Sequence, residues 1–422
     1  MRIAFTRTTE IKNTRPYLQT LWRLFEDYNI QAKLFYTSGE CSLQDFPGES
    51  EKIHVETSAT ELSEHLRRWG AGGFISLSVP DENALRDAVA GEILATHQIP
   101  SVVHPAKVTQ TLANKWETKL LLEKFGLATP SGLLIDGDLL NGRGTPTPAY
   151  RELTLLNGDK IGYPLLTKPL WDCLGNGIKF HHDHDALNSF LDSPYDGNVI
   201  LEKCISGELF SIEIIGKDGL FLFQPLLWKG ETGPKPSLYY NEVRHSVINT
   251  EIEKSFEKIK DQLVSLCDHL GINGTIEVEM ILYQDKFHII EINPRVSGTT
   301  VLSIAASGIN TFEALMHMSL GSWEDFESTA RKVPQRNRFS LQFPFEEIKQ
   351  LPHVIGNLEI VQLTSFKSGD VTYSSAIVSG DYRDLSKLNQ NVELQFHVKA
   401  ETMERIEKIQ LLKWKSFAEL QA

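Results

Sequence analysis

A short segment near residue 290 combines the pattern of a buried strand with residue types that bind metals and phosphates. The apolar run FHII, which begins at Phe287, leads directly into Glu291, Asn293 and Arg295. Because side chains alternate faces along a strand, Glu291 and Asn293 point the same way. Oxygen-only ligands suit Mg²⁺, and a nearby guanidinium suits the charge of a transferring phosphoryl group. The segment therefore predicts a metal-assisted phosphoryl-transfer site.

The preceding strand, TIEVEMIL, supplies further carboxylates. Glu277 and Glu279 share one face of this strand, and a hairpin around Tyr283–Asp285 brings one of them beside Glu291. Two carboxylates and an amide oxygen on one surface repel each other unless a cation lies between them. The alternative is a surface strand with solvated charges. It is disfavoured because the apolar residues FHII lead straight into the polar set.

Two other segments have weaker signals of nucleotide binding. Lys168 ends the apolar strand PLLTKP and is followed by the loop Gly175-Asn176-Gly177. A lysine beside a glycine loop can grip phosphates through its ammonium and the loop N–H groups, although the Walker A pattern is missing. The end of the strand VILEK and the two residues after it form a segment that could offer backbone groups to an adenine edge. Glu208 is close enough to reach a ribose. The residues of that segment are Glu202, Lys203, Cys204 and Ile205.

The composition excludes several classes of protein. The chain has 422 residues, a net charge of −13 and a pI of about 5.5. An acidic surface repels phosphate backbones, so we expect no nucleic acid partner. The four cysteines are widely spaced and contain no CxxC, which favours a reduced, cytoplasmic setting over a zinc or disulfide framework. No apolar run reaches the length of a signal peptide or membrane span, so neither is predicted.

The order of elements predicts an α/β protein with several domains. Strands and helices alternate over residues 1–107, which predicts a doubly wound parallel sheet without the GxGxxG fingerprint. A helix is predicted at about Thr111–Phe125, and residues 137–160, rich in Gly, Pro, Asn and Thr, are predicted to be a loop. We expect a second domain at 108–320, with a small lobe at about 126–205, and an α+β extension at 321–422. That extension would complete the core, cover the acceptor site or form a homodimer contact.

The combination of these segments resembles the ATP-grasp superfamily, in particular its carboxylate–amine ligases of the amino acid or peptide type. The resemblance spans roughly residues 100–320 and starts with Lys115, in LANKWETK. It implies the α+β ATP-grasp fold, with an antiparallel nucleotide and metal domain, a closing lobe and a preceding α/β domain. The twelve-residue step from Glu279 to Glu291, followed by Asn-Pro-Arg, is its most specific part and selects Glu279 over Glu277 as the metal ligand.

The resemblance also implies roles for the individual residues. ATP and Mg²⁺, with Mn²⁺ as a substitute, would be the cofactors. A carboxylate substrate would become an acyl phosphate with release of ADP, and an amine would then displace phosphate. Arg295 would stabilise the transition state. The nucleotide would contact Lys115, Lys168, Gly175, Asn176, Gly177, Glu202, Lys203, Cys204 and Ile205, and the metal would be held by Glu279, Glu291 and Asn293.

The substrate side of the site is less sharply predicted. Many relatives have a glutamate two residues after the glycine of the strand motif, where this chain has Leu209, so the ribose contact of Glu208 is in doubt. The predicted substrate-binding residues are Arg244, His245, Ser297, Gly298 and Thr299, with Tyr239 or Tyr240 packing on the substrate. We expect small-molecule carboxylate and amine partners. A carrier-protein thiol acceptor and a nucleotide-binding regulator without turnover are the alternatives. Carbamoyl-phosphate synthesis needs two ATP-grasp halves and is not expected, and nothing suggests biotin handling.

Overall fold

A computed structural model describes most of the chain, and its N-terminal region is a five-stranded parallel sheet. The described residues are 1–141, 148–171, 175, 177–192, 197–234, 242–247, 249–332, 338–349, 354–355, 358–368 and 371–419. The sheet has the order β3-β2-β1-β4-β5, which confirms the predicted doubly wound arrangement. Its elements are β1 (Arg2–Arg7), α1 (Trp22–Asp27), β2 (Gln31–Tyr36), β3 (Glu49–Lys52), α2 (Ala59–Trp69), β4 (Gly73–Ser76), α3 (Asp81–Ala95) and β5 (Ser101–Val102).

The region that joins the first sheet to the rest of the chain contains two helices rather than the single one predicted. Helix α4 (Ala106–Ala113) ends at Asn114, and α5 (Lys115–Lys124) begins immediately afterwards. The break occurs because Asn114 has an extended backbone and its side chain accepts hydrogen bonds from the N–H groups of Trp116 and Glu117. Lys115 therefore occupies the first position of α5.

The next segment forms a small lobe with its own four-stranded antiparallel sheet, in the order β6-β9-β7-β8. The prediction of a loop over 137–160 was wrong, because two helices occur there. Gly158 lies within the second of them and packs so closely on Leu187 that a Cβ would meet its Cδ2 at 2.7 Å. The elements are β6 (Gly132–Ile135), α6 (Gly137–Asn141), α7 (Pro148–Ile161), β7 (Leu165–Pro169), β8 (Lys179–His181), α8 (His184–Leu191) and β9 (Val199–Lys203).

A ten-stranded, largely antiparallel sheet forms the rest of the core, and the strands after residue 337 continue it. The first part of this sheet packs on α9, which begins at the Asn249 cap and ends at Gly271 in the left-handed conformation. The elements in this part are β10 (Glu208–Lys217), β11 (Leu220–Phe223), β12 (Leu227–Glu231), β13 (Arg244–Ser246), α9 (Thr250–Leu270), β14 (Gly274–Tyr283), β15 (Lys286–Asn293), α10 (Thr300–Ser307), α11 (Thr311–Leu320) and α12 (Trp323–Ala330).

The C-terminal strands extend the sheet beyond β13, and β17 and β21 form a separate two-stranded ribbon. These elements are β16 (Arg338–Phe345), β17 (Glu347–Ile348), β18 (Val354–Ile355), β19 (Leu358–Ser368), β20 (Val371–Asp381), α13 (Leu388–Gln395), β21 (Phe396–His397) and α14 (Ala400–Glu419). The C-terminal extension thus contributes to the core, which is one of the three roles predicted for it from the sequence. Within the described residues, no helix combines the length and apolarity that a membrane crossing requires.

Candidate active site

The hairpin of β14 and β15 gathers four polar side chains on one face of the large sheet. Its register pairs Glu279 with Glu291 and Glu277 with Asn293. The apolar residues between them, such as Val278 and Ile292, face the opposite side and belong to the core over α9. The alternation of the strands therefore fixes the polar set above a rigid apolar support.

Lysine side chains from two other elements form ion pairs with these carboxylates. Lys229, on β12, places its Nζ 3.3 Å from an oxygen of Glu277 and 2.8 Å from one of Glu279. Lys115, at the start of α5, places its Nζ 2.8 Å from Glu291. Two ammonium groups face three carboxylates, so this group, which we call the sheet cluster (Glu277, Glu279, Glu291, Lys229 and Lys115), has one negative charge in excess.

The pKa shifts within the sheet cluster show how unevenly the lysines compensate the carboxylates. Burial alone would raise the pKa of Glu277, but the Lys229 ammonium and a 2.7 Å hydrogen bond from the Thr299 hydroxyl outweigh it and hold that pKa well below its usual range. Burial raises the pKa of Glu279, and the neighbouring carboxylates Glu277 and Glu291 raise it further against the effect of Lys229. Glu279 therefore keeps a raised pKa even though the Lys229 ammonium lies 2.8 Å from it.

The sheet cluster lies beside an arginine that is itself tightly held. Arg295 follows β15, its Nε is 2.6 Å from the carboxylate of Asp81, and one of its Nη atoms donates to the amide oxygen of Asn293 at 3.1 Å. Burial would lower the pKa of Arg295, but Asp81, Glu277 and Glu291 together raise it. The guanidinium is thus firmly charged and stands at the end of the hairpin, next to the candidate metal ligands.

A second ion pair lies in the small lobe. Lys168 on β7 and Glu202 on the adjacent β9 are both buried, and their charged atoms are 2.5 Å apart. Lys119, one helical turn after Lys115, donates to the Pro130 carbonyl; burial lowers its pKa, and Glu202 opposes that effect. Glu123 also raises the pKa of Lys119, but it is exposed to solvent. The buried members alone, which we call the lobe cluster (Lys168, Lys119 and Glu202), comprise two ammonium groups and one carboxylate and so have one positive charge in excess.

The backbone joins the two clusters. The N–H of Lys115 donates to the carbonyl of Leu170, directly after β7, at 3.0 Å. Helix α5 therefore carries Lys115 toward the sheet cluster and Lys119 toward the lobe cluster. Gly175 and Gly177 follow in the predicted phosphate loop, and both have a positive φ. Asn176 lies outside the described residues.

In the segment predicted to line an adenine, two backbone N–H groups already donate hydrogen bonds to carbonyls of the protein. The N–H of Lys203 donates to the Ser131 carbonyl, and that of Cys204 donates to the Pro164 carbonyl. Cys204 and Ile205 are buried. A nucleotide edge would therefore have to use other groups of this segment. Glu208 begins β10 with an exposed side chain, opposite Glu231 and Leu282.

The predicted substrate residues fall into two groups. Ser297 and Thr299 bond each other at 2.8 Å, and Thr299 also binds Glu277, so these hydroxyls support the sheet cluster. Gly298 lies between them, just before α10. Arg244 is buried on β13, and the neighbouring His245 stacks on Trp228 with ring centroids 5.2 Å apart. Tyr239 and Tyr240 lie outside the described residues.

Three charged residues at this site were not predicted from the sequence. Lys229 had a visible signal, since a lysine inside the apolar strand LLWKG is unusual. Lys119 also had one, because it follows Lys115 by a single helical turn. Asp81 had none, because its partner Arg295 lies more than two hundred residues away in sequence.

The donor set suits a magnesium ion that also binds phosphates. In the part of the chain that the structure describes, no three His, Cys, Asp or Glu side chains are arranged on their own to hold a metal. Mg²⁺ is usually held by one or two carboxylates, with waters and substrate phosphates completing its shell. Glu279, Glu291 and the amide of Asn293 match that requirement, and the excess negative charge of the sheet cluster favours a cation.

Comparisons with known proteins show which family and which fold this chain resembles. Residues 112–299 match the family model described as an ATP-grasp domain. A carbamoyl-phosphate synthase from Methanobrevibacter smithii is 23% identical over 236 residues, which are 53% of this chain and 62% of that protein, so the match covers less than two thirds of the relative. The solved structure of an L-amino acid ligase from Bacillus licheniformis aligns over 94% of this chain and 98% of its own, with a TM-score of 0.66 and 16% identity.

A further solved structure is similar in the same way. The biotin carboxylase domain of 2-oxoglutarate carboxylase from Hydrogenobacter thermophilus, in complex with MgADP, ADP and bicarbonate, aligns over 92% of this chain and 90% of that domain, with a TM-score of 0.66 and 14% identity. At these identities the structural likenesses show the fold.

Proposed function

Since residues 112–299 of this chain form an ATP-grasp domain, we propose that the protein is an ATP-dependent ligase. It activates a carboxylate as an acyl phosphate, with release of ADP, and joins it to an amine. The observation that carries the proposal is the pair of clusters joined by α5, one with a negative and one with a positive charge in excess. The fold likeness to an L-amino acid ligase supports an amino acid or small biosynthetic intermediate as substrate.

The lobe cluster is the proposed phosphate site. Lys168 and Lys119 would supply positive charge to ATP, and Gly175 and Gly177, with Asn176 between them, would bring backbone N–H groups close to the phosphates. Lys115 would bind the phosphates from the other side of the site. The segment Glu202–Ile205 would border the adenine. Glu208, at the exposed start of β10, would bind the ribose.

The sheet cluster is the proposed metal site. Glu279, Glu291 and Asn293 would hold Mg²⁺, for which Mn²⁺ would substitute. When bound, the metal would neutralise phosphate charge during transfer. The biotin carboxylase domain cited above binds MgADP, which supports a magnesium–nucleotide complex as the form bound here.

The proposed reaction has two steps, formation of an acyl phosphate and its displacement by an amine. A carboxylate oxygen attacks the γ-phosphorus of ATP, and the bond from that phosphorus to the bridging oxygen of ADP breaks. The amine nitrogen then attacks the acyl carbon, a C–N bond forms, and phosphate leaves with one oxygen of the original carboxylate while the amine loses a proton. Arg295, fixed by Asp81 and Asn293, would stabilise the negative charge that develops in the first step.

The small lobe would close over ATP, because an acyl phosphate hydrolyses unless water is excluded. Ser297, Gly298 and Thr299 border the sheet cluster, and Arg244 and His245 lie further along the same sheet. These residues would therefore line the acceptor side of the site.

The test is ADP release from MgATP with a panel of single amino acids, amino acid pairs and small carboxylic acids, with the products identified by mass spectrometry. We expect release that requires both a carboxylate and an amine, with a product equal to their sum less water. Release that needs a carrier-protein thiol would favour that acceptor over an amine. Binding of ATP without turnover on any substrate would contradict the ligase and favour a nucleotide-binding regulator.

A further inference from the structure

The strand order of the N-terminal parallel sheet reverses between β1 and β4. The order β3-β2-β1-β4-β5 means that the chain proceeds outward from β1 in one direction and from β4 in the other. In open α/β sheets, ligands bind at such a switch point, outside the carboxyl ends of the two strands. Here β1 ends at Arg7 and β4 ends at Ser76, so these two ends mark the switch point.

The end of β1 places a buried arginine, Arg7, at this switch point. The Arg7 side chain donates from Nη1 to the Leu77 carbonyl, just beyond β4, at 2.9 Å. The residue is only 7% exposed, yet its Nε has no hydrogen-bond partner. The hydroxyl of Ser78, which is 1% exposed, also has none. Two buried polar groups at one strand edge without partners indicate a site that a ligand would complete.

The charges around Arg7 show what kind of ligand fits. Burial lowers the pKa of Arg7, and the nearby Arg295 guanidinium lowers it further, to about 10, which leaves Arg7 charged at neutral pH. Asp81, the first residue of α3, pairs with Arg295 at 2.6 Å. Among the described residues, Arg7 forms no ion pair of its own. A buried guanidinium without a counter-ion is costly, and a carboxylate would remove that cost.

We propose that Arg7, with Ser78, binds a carboxylate carried by the amine substrate. The inference rests on the proposed ligase function and narrows its acceptor to an amine that has its own carboxylate, as an amino acid does. One uncompensated guanidinium matches one carboxylate charge, whereas a phosphate dianion would be only half neutralised. Arg295 pairs with Asp81 and also acts on Arg7 and on the carboxylates of the sheet cluster, so an amine held by Arg7 would lie near the acyl phosphate.

The experiment measures binding directly, so that it does not depend on turnover. Isothermal titration in the presence of MgADP compares the proteinogenic amino acids with their carboxamides, which lack the negative charge, and with inorganic phosphate. Wild-type protein should bind at least one amino acid and bind its carboxamide roughly 10- to 100-fold more weakly, the range expected for a charged hydrogen bond. Binding of no amino acid, or binding of phosphate in preference to every amino acid, would overturn the proposal.

Variants separate recognition from structural support. Arg7→Gln should lose roughly the same 10- to 100-fold for the amino acid while the carboxamide affinity stays unchanged, and Arg7→Lys should restore part of the loss. Arg2→Gln is the matched control, because Arg2 lies at the other end of the same strand and donates to the Trp69 carbonyl at 2.8 Å. Its affinities should equal those of the wild type. An Arg7→Gln protein that melts like the wild type and still discriminates acid from amide would contradict the assignment.

Measurement of ADP release with the same compounds distinguishes the ligase proposal from the carboxylate-site proposal. Acid-selective binding that depends on Arg7, without any ADP release, would overturn the ligase and leave the carboxylate site standing. ADP release with an amino acid whose Michaelis constant is unaffected by Arg7→Gln would support the ligase and overturn the carboxylate site.

Discussion

The small lobe and the large sheet bury the same chemical pair, a lysine and a glutamate, in opposite balance. In the lobe, Lys168 and Glu202 pair at 2.5 Å with Lys119 nearby. In the sheet, Lys229 and Lys115 face three carboxylates at distances of 2.8 to 3.3 Å. One region therefore has a surplus of positive charge and the other a surplus of negative charge.

Because of this opposite balance, neither region behaves as an isolated buried ion pair. A buried pair contributes little net stability, because desolvation offsets the attraction between its charges. The unmatched charge that remains beside each pair is what selects a ligand. The lobe cluster would attract phosphates, and the sheet cluster would attract a metal ion. A magnesium–nucleotide complex has both components and would bridge the two regions.

The largest expected effect comes from removing one charge of the sheet cluster. Glu291→Gln should reduce MgATP-dependent ADP release by roughly 100- to 1,000-fold, comparable with the loss of a group that stabilises transition-state charge. The measurement is the steady-state rate over a magnesium titration. Glu257→Gln, on the surface of α9, is the control and should leave the rate unchanged. Near-normal turnover of Glu291→Gln would remove the metal assignment.

The lobe pair can be broken and then neutralised. Lys168→Met leaves Glu202 buried without its partner, so the free energy of unfolding should fall by roughly 3 to 5 kcal/mol. The double variant Lys168→Met/Glu202→Gln should recover most of that stability and still bind ATP more weakly than the wild type. Chemical denaturation and nucleotide titration measure the two effects. Wild-type ATP affinity in the double variant would show that Lys168 supports only the fold.

The sheet cluster allows the corresponding experiment with a metal as the rescuing group. Lys229→Met leaves Glu277 and Glu279 without their ammonium, so the melting temperature should fall, and added Mg²⁺ should restore more of it than it adds to the wild type. Thermal melts with and without MgCl₂ measure the difference. An equal response of the two proteins to Mg²⁺ would argue against a metal at these carboxylates.

Glu213 is a further buried carboxylate, and in the described part of the chain it pairs with no lysine and has no proposed metal role. Glu213 on β10 lies opposite Glu277 and accepts hydrogen bonds from the hydroxyls of Thr300, at 2.5 Å, and Thr311. Burial raises its pKa from 4.5 to about 7. The folded state thus holds a proton that the unfolded state loses between pH 4.5 and 7. This contribution to stability is fully present below pH 4.5 and is lost as the pH rises to about 7.

Glu213→Gln should therefore gain stability relative to the wild type as the pH rises from about 5 to about 8, by roughly 3 kcal/mol in the free energy of unfolding. Denaturant titrations of both proteins at the two pH values measure the difference and cancel the contributions of other groups. A difference that does not change with pH would show that Glu213 is ionised in the folded protein.

The predictable part of the site is the part built from neighbouring sequence. The register of Glu279 with Glu291 follows from one hairpin, so strand alternation and a turn were enough to expect it. Lys168 and Glu202 were each singled out, but their pairing was not, since it depends on how β7 and β9 meet. Arg7 and Asp81 reach the site only through the packing of the first sheet against the second domain, which no local pattern encodes.

The most direct test of carboxylate activation by ATP follows the oxygen atoms of the carboxylate substrate. Once a substrate pair is found, the acid is labelled with heavy oxygen in its carboxylate, and the released inorganic phosphate is analysed by mass spectrometry. An acyl phosphate intermediate requires one labelled oxygen to be transferred to phosphate, and this is the result we predict. Unlabelled phosphate, with labelled acid incorporated into the product, would contradict carboxylate activation by ATP. It would thereby contradict the proposed acyl-phosphate ligase.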